Sequence, residues 1–188
     1  MLNTEEKRTL LTIARDTLNY KIAGGIDKTI HESAIPNMLQ QAAGAFVSLH
    51  SKSDGKLQGC MGSFKAATPL YKLIKEMVVS AALRDYRFSP LSKDELEDTD
   101  IEISVLSPKK KIRTIDEIKL GKHGIYISKD HHSGTFLPQV ALTTGWDLEE
   151  FLGRCARDKA GIGWEGWKEA TIYTYEAEVF SEKEMKLG

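Results

Sequence analysis

Apolar residues recur three and four apart near the start of the chain, where Leu10, Leu11, Ala14, Leu18 and Ile22 fall on one side of a helix. This spacing predicts a helix over 3–23. Asn3 can cap it, Glu6 stands at the capping-box position, and Gly24-Gly25 ends it. The stretch 26–44 has no period, contains Pro36, and reads as an irregular connector. The helical period returns in Leu70, Leu73, Ile74, Met77, Val78, Ala81 and Ala82, with Thr68 as cap and Pro69 at the first helical position. Between the two helices, 44–64 reads as strand, Asp54-Gly55 turn, strand.

A two-residue Asp-Gly loop sets the register of that hairpin. It places Ser53 opposite Lys56, Leu49 opposite Cys60 and Val47 opposite Gly62. Cys60 then shares a face with Ala45, Val47, Leu49 and Phe64 and is expected inside, whereas Phe46, Ser48, His50, Leu57 and Met61 occupy the other face. A four-residue loop keeps this parity; an odd loop or a bulge turns the thiol over.

Downstream, Ser92 and Glu95 frame a short helix, and 101–106 alternates as a strand with Ile101, Ile103 and Val105 inward and Glu102 and Ser104 outward. Thr114 and Glu117 frame a helical turn. Strands are expected at 124–128 and 135–138, the second ended by Pro138. Asp147 caps a helix that buries Leu148, Phe151, Leu152 and Cys155, and a last strand runs over 171–180. The glycines of Gly161, Gly163 and Gly166 lack the strand-before, helix-after setting of a dinucleotide fingerprint. The mixture of helices, hairpins and alternating strands predicts an α+β domain spanning 1–188, without internal repeat or long linker.

Charge narrows the function classes. With 26 basic against 27 acidic side chains the formal charge is −1, which argues against dependence on a nucleic-acid backbone or an anionic membrane. Lys109-Lys110-Lys111 reads as a solvated loop. No segment is apolar enough for a membrane span and no secretory pattern opens the chain, so a cytoplasmic protein is expected. Cys60 and Cys155 form no CxxC pair, and the adjacent His131 and His132 point apart, so neither metal nor cofactor is expected.

Candidate chemistry gathers around Gln58-Gly59-Cys60-Met61-Gly62 and Arg84-Asp85-Tyr86-Arg87-Phe88. A nucleophilic Cys60 needs a lowered pKa and a base within reach, and the parity above puts His50 on the opposite face. Packing is the first reading of Cys60, ligand contact the second, covalent catalysis the third. Gly59 and Gly62 make room for the second helix to pack closely. Arg84, Asp85 and Arg87 read first as a local ion-pair knot and second as a substrate-facing cluster. Gln139 caps a strand end or reaches into a cleft.

Several strings together resemble one family. They are Gly44-Ala45-Phe46-Val47, Leu57 to Gly62, Arg84-Asp85 with Arg87-Phe88, Ile101 to Pro108, Gly124-Ile125, Leu137 to Ala141, Gly145-Trp146, Phe151-Leu152 and Cys155. In this order they resemble the AMMECR domain proteins, known in bacteria and archaea as protein A of the AmmeMemoRadiSam system. The resemblance implies antiparallel sheets with packed helices in two unequal lobes, the larger built from both chain ends, with the signature strand facing the space between them. We place the large lobe at 1–83 plus 146–188 and the small lobe at 84–145. The system name implies Memo-type and radical S-adenosylmethionine proteins as partners. Two departures stand out: Gln58 replaces the family's usual Arg, removing a planar cationic donor fork, and Tyr86 replaces its usual Pro.

Three classes of function follow. The first, and preferred, is an accessory or binding protein whose interlobe cleft, lined by Gln58, Gly59, Cys60, Gly62, Arg84, Asp85, Arg87, Phe88 and Gln139, receives a small molecule or a partner segment. The second is an enzyme using Cys60 or the Arg84/Asp85/Arg87 cluster beside a radical S-adenosylmethionine enzyme. The third is an RNA-binding module, for which the Tyr and Trp residues of 164–175 are the hint and the neutral charge the counterargument.

Overall fold

In the computed structural model, which describes residues 1–25 and 32–187, the chain divides into two compact units. One comprises Met1–Leu106 with Glu178–Gly188, the other Ser107–Ala177. The expected boundary at Arg84 is displaced: 84–106 belongs to the first unit because its strand is an interior member of that sheet, and 146–177 belongs to the second because its helix and strand fill that core.

In the first unit, α1 (Thr4–Ala23) begins at Asn3, whose side chain accepts from Glu6 N–H while the Glu6 carboxylate returns to the Asn3 N–H. Leu10, Leu11, Ala14 and Leu18 are fully buried, as the period requires. Part of the expected connector, residues 26–31, lies outside the described residues; Glu32–Ala34 and Asn37–Gln40 are short 3₁₀ turns. The hairpin is β1 (Gly44–Ser51) and β2 (Leu57–Ser63). Helix α2 (Leu70–Leu83) starts one residue later than expected, with Pro69 in the capping position and Thr68 making no cap bond. All seven apolar residues of its predicted stripe are buried.

Strand β3 (Thr99–Leu106) lies against β1, and β8 (Ala177–Ser181) completes the order β2-β1-β3-β8. Ala45, Val47, Leu49, Ile101 and Ile103 project to the helix side and pack with α1 and α2. Burying each of the larger side chains contributes about 1.5–3 kcal/mol. Ser104, expected outward, is buried opposite Phe46.

The second unit carries β4 (Lys110–Lys111), β5 (Gly124–Lys129), β6 (His132–Phe136) and β7 (Thr171–Tyr175) in the order β4-β7-β5-β6, with antiparallel pairs throughout. Its core joins Ile125, Ile127, Phe136 and Ile172 to α3 (Pro138–Thr144) and α4 (Leu148–Arg154), followed by a π-helical turn, Cys155–Lys159. Pro138 opens a helix there, where the sequence suggested only a strand end: a proline at the first helical position has no N–H to leave unpaired. Asp147 accepts from Glu150 N–H and caps α4, and Cys155 is fully buried.

The single last strand expected over 171–180 is two strands in two sheets. Glu176 separates them, its N–H donating to Ser107 Oγ at 2.8 Å and its carbonyl accepting from Ser107 N–H at 2.9 Å. After β8, the short α5 (Glu182–Met185) closes the chain.

Candidate functional site

The hairpin turn has four residues between the Ser51 and Lys56 pair, Ser51 N–H donating to Lys56 C=O at 2.8 Å. Such a turn alone preserves the expected parity. A β-bulge at Gln58 then reverses it: His50 pairs with Leu57, but Leu49 pairs with Gly59 and Ser48 with Cys60. Cys60 is therefore not with Ala45, Val47 and Leu49, as the sequence suggested. It shares the face of Phe46, Ser48, His50 and Gly62, while Gly59 and Met61 turn to the helix side. His50, expected on the face opposite the thiol, lies on the same face, one side-chain repeat beyond Ser48.

Strand β2 forms one edge of its sheet. In an antiparallel ladder alternate residues turn their N–H and C=O away from the partner strand, and Cys60 is one of these. Its outward N–H donates to Asp85 Oδ2 at 2.9 Å, and its carbonyl accepts from Arg87 Nη2 at 3.4 Å. These partners arrive because α2 packs tightly on β2 and ends at Leu83, leaving the chain to turn around the strand edge. Phe88 N–H closes that turn on the Asp85 carbonyl at 3.0 Å.

Arg87 grips Asp85 with two parallel bonds, Nε to Oδ1 at 2.9 Å and Nη2 to Oδ2 at 2.7 Å, and Oδ1 also accepts from Arg87 N–H. The guanidinium lies 5.3 Å from the Phe88 ring centre. Asp85 is almost wholly buried, while the Arg87 side chain keeps 40% of its exposure and so presents a fixed cation to the surface. The Arg87 bonds hold the Asp85 carboxyl down at about 2, assisted by the backbone N–H groups of Cys60 and Arg87 and opposed by burial. The ion-pair knot expected here forms from Asp85 and Arg87; Arg84 caps α2 outside it, its side chain exposed.

The thiol itself is half-buried and accepts from Ser48 Oγ at 3.3 Å. Burial pushes its pKa above the ordinary thiol value, and the favourable influences of Ser48 and Arg87 do not reverse that direction. No hydrogen bond joins it to His50, whose buried Nε2 has no hydrogen-bond partner among the described residues. Ser48, the residue that addresses the sulfur, was not a candidate from sequence; a bulge-shifted register was the only signal that could have found it.

Of the other candidates, Gln58 turns toward the helix side, its Oε1 accepting from Thr99 Oγ1 at 3.1 Å. A Cβ at Gly59 would strike the Ala81 carbonyl of α2, so the expected close approach is real at this glycine. Gly62 does not make room for α2 as expected: it faces the other way, beneath the Phe46 ring, which also meets Phe64 edge-on at 5.5 Å. Gln139 is in the second unit, in the first turn of α3. Among the described residues no group of three or more His, Cys, Asp or Glu could hold a metal ion, and no helix is long and apolar enough to cross a membrane.

A second polar assembly in the first unit escaped the sequence reading altogether. Arg15 donates through Nε to Glu182 Oε1 at 2.8 Å, through Nη2 to Glu182 Oε2 and to the Thr99 carbonyl, and through Nη1 to the Leu96 carbonyl at 3.1 Å. Glu182 is 4% exposed and also receives Ile101 N–H at 3.0 Å, so this pair fastens the C-terminal segment to β3. An open groove of about 790 Å³ beside it is lined by His50, the hairpin loop, Asp100 and Lys183.

Comparison with known proteins gives a consistent result. The AMMECR1 family model matches residues 11–180. A protein of Methanopyrus kandleri is 36% identical over 192 residues, covering 97% of this chain and 91% of its own. One of Methanocaldococcus jannaschii is 32% identical, covering 98% and 94%. The crystal structure of an uncharacterised protein from Pyrococcus horikoshii superposes with a TM-score of 0.90 at 29% identity, covering 98% of this chain and 95% of its own.

Proposed function

The chain belongs to the AMMECR1 family, and from that premise we propose that it is an accessory binding protein that docks an extended partner segment on the outer edge of β2. The observation that carries this reading is where edge protection stops. Asp85 and Arg87 take up the outward groups of Cys60, but the next outward pair along the strand, the N–H and C=O of Gly62, has no hydrogen-bond partner among the described residues. An unpaired strand edge is a template for strand addition, with backbone bonds giving affinity. Arg87, held in place by Asp85 and Phe88, stands beside that edge and favours a segment carrying a carboxylate.

A thiol enzyme is the weaker reading. Cys60 has a raised pKa, a hydroxyl partner in place of a base, and a backbone locked at both outward atoms. The Memo-type and radical S-adenosylmethionine proteins implied by the resemblance are the first sources of the segment to test. In the deciding experiment, ¹⁵N-labelled protein is titrated with extended acidic peptides from those partners. Perturbation and exchange protection of the Gly62 amide, lost in Arg87→Gln, is expected; perturbation confined to residues away from β2 refutes the site.

A further inference from the structure

The second unit holds a recess of its own, about 290 Å³, at the β4 edge of its sheet. Lys111, Arg113 and Lys168 line it together with Thr114, Thr171 and the Trp167 ring, and no acidic residue does. Three nearby carboxylates are already engaged, while Asp116 lies outside the lining. Glu117 turns back to accept Arg113 N–H at 2.8 Å and Thr114 N–H at 3.3 Å; Glu165 pairs with Lys168; Glu169 pairs with Lys129 at 2.6 Å. Lys111 and Arg113 are exposed and have no ion-pair partner among the described residues. Glu117 N–H donates to the Thr114 carbonyl at 3.3 Å, and the exposed Thr114 hydroxyl lines the recess as a donor or acceptor.

A concave wall with three cations, two of them in no ion pair among the described residues, a hydroxyl and an aromatic face is chemically matched to an anion attached to an organic body. We propose that this recess binds a small phosphate ester, the phosphate between Arg113 and Lys111 and the organic part against Trp167. Arg113 supplies the planar fork that suits phosphate oxygens, and Lys111 a mobile point charge. The volume lies at the lower end of small-molecule sites, which suits a ligand the size of a mononucleotide or sugar phosphate. The formal charge of −1 on the whole chain does not oppose this, because the charge excess is local.

The test is calorimetric titration of the full chain with AMP, ribose 5-phosphate, inorganic phosphate and adenosine, repeated with Lys111→Gln/Arg113→Gln. Both replaced side chains are exposed, so unchanged thermal unfolding of the variant is the check that it folds. AMP and ribose 5-phosphate are expected to bind saturably and adenosine not at all, with affinity falling at least tenfold in the double variant and Tryptophan fluorescence quenching lost in Trp167→Phe. Equal binding of adenosine and AMP, or AMP affinity unchanged in the double variant, overturns the proposal. So does much tighter binding of an oligoribonucleotide with a steep salt dependence, which assigns the surface to nucleic acid instead.

Discussion

The buried carboxylate of Asp85 accepts the outward N–H of Cys60 at 2.9 Å while Arg87 holds both of its oxygens, so a loop after α2 does for β2 what a neighbouring strand would do. The carboxyl is lowered from 3.8 to about 2, which at about 1.4 kcal/mol per pK unit makes the charged form worth about 2 kcal/mol to the fold. Because the folded-state pKa is depressed, this contribution is complete above about pH 4 and is lost as pH falls toward 2. Asp85→Asn is expected to unfold about 2 kcal/mol more easily at pH 7, and urea denaturation should show the gap to wild type closing between pH 4 and 2. A gap that stays constant over that range contradicts the assignment.

The two thiols should be slow for different reasons. Cys60 is half-buried with a raised pKa, so at neutral pH its thiolate fraction lies below that of a free thiol; Cys155 is fully buried and pushed up to about 12. Iodoacetamide labelling followed by mass spectrometry is expected to rank free thiol first, Cys60 second and Cys155 last, with Cys155 labelled only on unfolding. Replacing Ser48 by Ala removes the donor to the sulfur and should slow Cys60 further. Cys60 outpacing a free thiol would reinstate the nucleophile.

The elements were largely legible and their register was not. Helical spacing in α1 and α2, the capping boxes at Asn3, Ser92 and Thr114, and the alternation of β3 follow from local side-chain period and local hydrogen bonds. The bulge at Gln58 leaves no such mark, since Gln58-Gly59 reads equally well in either register. Yet one extra residue moves Cys60 and Met61 to opposite faces from those expected. The break at Glu176 was hidden because 171–180 alternates without interruption; it is set by hydrogen bonds to Ser107, nearly seventy positions away in the chain. Asp85 and Arg87 were visible as a pair, but their target, the backbone of Cys60, is a tertiary fact.

Gly59 offers a sharp test of the packing beneath the site. Its missing side chain lets β2 approach the Ala81 carbonyl, and a backbone oxygen inside a helix cannot swing aside as a side chain does. Gly59→Ala is expected to cost at least about 2 kcal/mol, at the upper part of the overpacking range. At Gly62 the first obstacle is the Phe46 ring, which can move, although the Ala45 carbonyl oxygen stands at 2.6 Å behind it. Gly62→Ala is therefore expected to be destabilising by less. Chemical denaturation of both variants distinguishes the two surroundings, and equal losses would contradict the difference between a backbone and a side-chain obstacle.

The Arg15 and Glu182 pair makes a prediction about how the chain end is held. Glu182 is 4% exposed, takes two bonds from Arg15 and one from Ile101 N–H, and lies immediately after β8. Removing it strands a largely buried guanidinium and leaves a backbone donor in the sheet unpaired. Breaking a buried ion pair from one side costs about 3–5 kcal/mol, and because Arg15 retains 20% exposure Glu182→Ala is expected near 3 kcal/mol. Glu182→Gln keeps an oxygen for Ile101 N–H and one Arg15 bond and should lose less. Hydrogen exchange gives the site-specific check: the Ile101 and Lys183 amides, the latter bonded to Asp100 Oδ1 at 3.0 Å, should lose protection in Glu182→Ala while the Cys60 amide keeps its own. If all three amides lose protection together, the pair stabilises the unit globally and does not specifically fasten the C-terminal segment.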